Sequence, residues 1–123
     1  MKSLKYLCIV VTAAFLFGIF PSCKKDAPAE KTAPLHILIY TKTKAYRHEC
    51  IEPGSKALQT YFSKYDILST ATADSSVFSP ERLKEFDVVM FFQTTGNVLD
   101  SVQQVAFENY IRSGKGFVGV HAA

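Results

Sequence analysis

Asp87-Val88-Val89-Met90-Phe91-Phe92 is the stretch on which the fold turns. Five consecutive apolar residues, β-branched and aromatic, follow one carboxylate and stop at a polar turn. So short a run, apolar at every position, fits a strand covered on both faces, the signature of a parallel sheet. It is the strongest strand in the chain and is expected at the sheet centre. Working outward, Ser79-Pro80-Glu81 reads as an N-cap with proline at the first helical position, opening a short helix that ends near Phe86. On the other side Asp100 caps a helix to about Arg112, with Val102, Val105, Ala106 and Ile111 as buried candidates. Ser113-Gly114-Lys115-Gly116 ends that helix, and Phe117-Val118-Gly119-Val120-His121 is a further strand.

Further out, Leu35-His36-Ile37-Leu38-Ile39-Tyr40 is a second strand of the covered kind, with His36 structural within it. Thr41 to Pro53 is polar. From Gly54 to Tyr65, the residues Ala57, Leu58, Tyr61, Phe62 and Tyr65 fall at helical spacing. Ile67 to Thr72 is a weaker strand, placed at the sheet edge. Strand and helix thus alternate through four strands, which predicts an α/β, flavodoxin-like or Rossmann-like parallel sheet with right-handed crossovers. The chain stops on a strand with no helix after it, so the domain is expected to be incomplete at its C-terminus.

The 123 residues begin with a different kind of segment. Lys2 and Lys5 precede a 15-residue apolar run, Tyr6 to Phe20, which at about 1.5 Å per residue is too short for a hydrocarbon layer of roughly 30 Å. Residues 1–22 therefore read as a secretion signal. Pro21-Ser22-Cys23 resembles the processing site of bacterial lipoproteins, which would make Cys23 the lipid-bearing terminus. Residues 23–34, charged and rich in Pro and Ala, read as a tether, and 35–123 as the folded domain. The expected location is exported and membrane-anchored, periplasmic or on the outer membrane or cell surface.

Composition narrows the function. Apolar residues make up 48% and charged residues 20%, a globular balance. With Lys2 and Lys5 set aside in the leader, 12 basic residues face 11 acidic ones, which gives no electrostatic case for nucleic acid. Of three cysteines, Cys8 lies in the leader and Cys23 at the processing site. Cys50 is left alone, without a disulfide partner, and reads as a small, half-buried residue.

Ligands of open parallel sheets gather outside the carboxyl ends of the strands. That rule selects three segments. Tyr46, Arg47, His48 and Glu49 stand ahead of a helix N-terminus, with His48 able to move a proton near neutral pH. The turn Gln93-Thr94-Thr95-Gly96-Asn97 offers hydroxyls and amides to sugar hydroxyls or phosphate, and is equally ordinary turn chemistry. It is not a P-loop, because no Gly-Lys-Ser/Thr follows, and Gly114, Gly116 and Gly119 are misplaced for a dinucleotide fingerprint. His121 ends the last strand, where it is a proton-transfer group or a packed core residue. Two histidines without a carboxylate partner are weak grounds for a metal, so no metal ligand is assigned and metal dependence stays open, and no cofactor is expected.

These same segments carry a resemblance. Ile37 to Ile51 with its Tyr46-Arg47-His48 block, the Phe91 to Gly96 turn, and Tyr110 to Ala123 with Gly116-Phe117-Val118-Gly119-Val120-His121-Ala122-Ala123 are together similar to the ThuA-like (trehalose utilization) family. The resemblance implies a flavodoxin-like, three-layer fold of the class I glutamine amidotransferase kind, in a longer domain. In those enzymes a nucleophilic Cys sits on the sharp turn where this chain has His121, so Cys-dependent glutamine hydrolysis is not expected. It also implies carbohydrate utilization. The expected pocket takes His48 and His121 as catalytic groups, with Tyr46, Arg47, Thr94 and Thr95 binding a small carbohydrate. The alternatives are a non-catalytic carbohydrate-binding module and a scaffold domain of a larger lipoprotein.

Overall fold

The computed structural model describes residues 33–123, so the leader, Cys23 and most of the tether lie outside the described residues. In chain order the elements are β1 (His36–Tyr40), α1 (Ile51–Ser63), β2 (Leu68–Thr72), a 3-10 turn (Ser75–Val77), α2 (Pro80–Leu83), β3 (Val88–Phe92), α3 (Ser101–Arg112) and β4 (Gly116–Val120). All three strand pairings are parallel, in the order β2-β1-β3-β4. The fold is the expected α/β, flavodoxin-like arrangement, with β3 inside the sheet and β2 at its edge.

Side-chain alternation divides the core. Leu38, Tyr40, Val89 and Phe91 face the 3-10 turn, α2 and α3, where Val77, Phe78, Leu83, Ala106 and Tyr110 close the layer. Ile37, Ile39, Met90 and Phe92 face the opposite way, against Leu58 and Phe62 of α1. Covering both faces explains why β1 and β3 are apolar at nearly every position. Each buried Leu, Ile or Val contributes roughly 1.5–3 kcal/mol.

The helix ends follow local chemistry. Asp100 and Gln103 form a reciprocal capping box at α3, and Ser79 accepts from Arg82 N–H at α2. Four expectations need correction. α1 begins at Ile51 rather than Gly54, because Pro53 falls within the first turn, where its missing N–H costs nothing. Of the expected α1 stripe, Ala57, Tyr61 and Tyr65 are exposed, and only Leu58 and Phe62 pack on the sheet. On α3, Val102, Val105 and Ile111 are exposed; Ala106, Phe107 and Tyr110 face the core, with Phe107 stacked on Phe91. α2 also ends earlier than expected, at Leu83.

Candidate functional site

Strand order reverses between β1 and β3, so the segments leaving their carboxyl ends bound the crevice in which open α/β sheets hold ligands. Here those two segments join. Thr43 bridges Thr95 in parallel register, Lys44 N–H donates to Thr95 O at 2.7 Å, and Thr95 Oγ1 donates to Tyr46 O at 2.7 Å. Gly96 turns this loop with φ 77°, and a Cβ there would meet Lys44 Cβ at 3.3 Å. The junction directs the β1 loop across the strand ends toward β4.

Register then sets the meeting. Phe92 pairs with Val120, so Gln93 and His121 leave adjacent strands at the same level. Both take left-handed backbone, with φ 58° and 61°, and Gln93 N–H donates to Val120 O at 3.1 Å. The sharp turn expected at His121 is therefore present. α1 begins close by, since a Cβ on Gly54 would lie 2.7 Å from the Phe92 ring. His48 stands just ahead of that helix. Its ring meets the ring of His121 edge to face, centroids 4.9 Å apart, and the ring of Tyr46 at 4.8 Å. His48 is half-buried; His121 and Tyr46 are exposed.

The remaining candidates have local work. Arg47 donates to Thr41 O at 3.0 Å and pairs with Glu52 in the first turn of α1. The guanidinium holds the Glu52 carboxyl below its ordinary range. Two of the five guanidinium donors are engaged, which leaves three. Thr94 is buried and its hydroxyl donates to Ala122 O at 3.2 Å, which ties the β3 turn to the chain after β4. Both threonine hydroxyls thus spend their proton on backbone and retain only acceptor capacity. A cavity of about 270 Å³ is lined by Thr94, Thr95, Gly96, Phe91, Val98 and Ala122; His48 and His121 are not in its lining. Five of the six predicted residues accordingly form two groups, a ring cluster and a threonine-lined hollow, stitched by the Thr95–Tyr46 hydrogen bond, while Arg47 stands apart on Thr41 and Glu52.

Cys50 is exposed rather than half-buried, and as N-cap of α1 its side chain makes no capping hydrogen bond. Among the described residues no group of three His, Cys, Asp or Glu is placed to hold a metal ion. Gln93 was not singled out from sequence, where it reads as turn chemistry. Its positive φ is a backbone property that glutamine does not announce.

The comparisons with known proteins come to the same domain. The family model described as ThuA, trehalose utilisation, matches residues 36–123. A crystal structure described as that of a ThuA-like protein from Bacteroides uniformis ATCC 8492 superposes with TM-score 0.57 and 31% identity. The match covers 79% of this chain and 40% of that one. No curated protein matches the chain. With the parallel sheet, the strand-end blocks and the match over residues 36–123 all in agreement, the chain belongs to the ThuA (trehalose utilisation) family.

Proposed function

We propose that the chain is an exported, membrane-tethered protein of carbohydrate utilisation that acts on a trehalose-type sugar or sugar derivative at the carboxyl ends of its strands. The observation that carries this reading is the contact between His48 and His121, two imidazoles brought within 4.9 Å from loops far apart in sequence. One imidazole takes a proton from a substrate hydroxyl while the other gives one up, a division of general-base and general-acid work open to two facing imidazoles. Tyr46, edge-on to His48, fixes that ring, and the three spare Arg47 donors bind sugar oxygens. Thr94 and Thr95, their protons already given to backbone, accept from sugar hydroxyls.

The tethering half of the proposal rests on the leader. Its apolar run and Ser22-Cys23 support lipid attachment at Cys23, followed by the spacer to residue 34. Among the described residues no helix is long and apolar enough to cross a membrane. Replacing Cys23 by Ser is expected to move the protein from the membrane fraction to the soluble one; retention in the membrane contradicts lipidation.

Catalysis is tested in the full-length protein with His48→Ala and His121→Ala, following consumption of a sugar panel headed by trehalose by chromatography. Each variant is expected to lose about 100-fold or more in rate, the usual scale for a proton-transfer group. Unchanged rates overturn the assignment. A second reading, a non-catalytic carbohydrate-binding module, is favoured by the openness of the rim, where Tyr46 is 68% exposed. It predicts saturable binding by calorimetry and no product.

A further inference from the structure

Two buried side-chain polar atoms among the described residues have no hydrogen-bond partner, Gln93 Oε1 and the Tyr110 hydroxyl. Tyr110 lines an apolar groove between α2 and α3, away from the strand ends. Gln93 is different, because three independent observations meet on it. Its amide oxygen is shut from solvent with nothing donating to it. Its backbone is left-handed at φ 58°, a conformation rare for a residue with a Cβ. Its N–H is pinned to Val120 O, which holds it level with His121, itself left-handed at φ 61°.

A fold has no need of such a residue. A glycine satisfies the backbone here at no steric cost, and an apolar side chain of the same length fills the space without an unanswered carbonyl. Unfavourable backbone and an unpaired buried polar group concentrate at places held for function. We propose that Gln93 is a ligand-contacting residue of the strand-end site, whose amide oxygen accepts a hydrogen bond from a sugar hydroxyl beside His121. The proposal rests on the sugar reading of this site. The hydroxyl is a suitable partner because it donates and accepts at once, as a primary amide does. Engagement requires the amide to swing out of its occluded position, a side-chain rotation of the fast kind.

The test compares the full-length wild-type chain with Gln93→Met, Gln93→Gly and Asp66→Gly, measuring Tm and trehalose binding by calorimetry. Asp66 is the control: an exposed residue with φ 55° in the turn before β2. Both Gln93 variants are expected to melt higher, by about 2–6 °C, and to bind trehalose about tenfold more weakly or worse. Asp66→Gly is expected to melt higher with binding unchanged. Wild-type affinity in Gln93→Met overturns the proposal while leaving the sugar reading intact. Lower melting of both Gln93 variants also overturns it, by making the residue structural. Absence of trehalose binding by the wild type overturns the sugar reading, and the contact proposed on it falls too.

Discussion

The two ends of the sheet treat the same residue types in opposite ways. At the amino end, His36 is bonded at both ring nitrogens, to Glu85 O at 3.1 Å and Thr70 Oγ1 at 2.9 Å, and its ring packs on Phe86. Asp87 accepts from His36 N–H at 3.0 Å and from Lys115 Nζ at 3.0 Å, so one carboxylate joins the starts of three strands. At the carboxyl end, the side chains of His48 and His121 make ring contacts and no hydrogen bond among the described residues. Gln93 leaves its amide oxygen unanswered there, and of the three left-handed non-glycine residues among those described, two stand side by side. A histidine with both nitrogens occupied is a structural part. Imidazoles held in place by packing alone keep their nitrogens for something else.

Substitution should therefore split by end. Asp87→Ala removes the carboxylate shared by β1 and β4 and leaves the Lys115 ammonium half-buried without it, so we expect a loss of about 2–3 kcal/mol by chemical denaturation. A loss under about 0.5 kcal/mol erases the contrast. Alkaline titration sharpens it from the core. Burial pushes the Tyr40 and Tyr110 phenols from 10.0 up to about 12. Because the folded values lie above the unfolded ones, stability is complete below pH 10 and declines as pH rises through 12. The decline is on the order of 2 kcal/mol per tyrosine by that point, followed by denaturation at a series of pH values. Gly96→Ala forces a Cβ onto φ 77° and against Lys44 at the Thr43–Thr95 junction, for an expected cost of about 1–2 kcal/mol. Smallest of all, His48→Ala should change stability by less than about 0.5 kcal/mol, because no hydrogen bond is lost with the ring.

The sequence was most legible where one physical requirement dominates. β3 announces itself because covering on both faces excludes polar residues from 88–92. The start of α3 is equally plain, since Asp100 three residues before Gln103 is a reciprocal cap. The helix faces were misread for a shared reason. α3 carries two apolar stripes, one through Val102 and Val105 and one through Ala106, Phe107 and Tyr110. Only the aromatic layer of Phe78, Phe91 and Phe117 decides which is buried. At the rim, the convergence of His48 and His121 follows from strand-end topology and was foreseeable. The engagement of both threonine hydroxyls with backbone was not, because it depends on the loop junction at Thr43–Thr95. Gln93 illustrates the limit most clearly: side-chain identity carries no trace of its φ.

The central claim is that the two imidazoles of the rim work as a unit, and a double-mutant cycle on sugar turnover addresses it directly. His48→Ala, His121→Ala and the double variant are compared in the full-length protein at one pH. If the rings act together, removing the second after the first costs little, and the double variant falls to about the rate of either single one. Rates that multiply independently, or that match the wild type in both single variants, contradict the account.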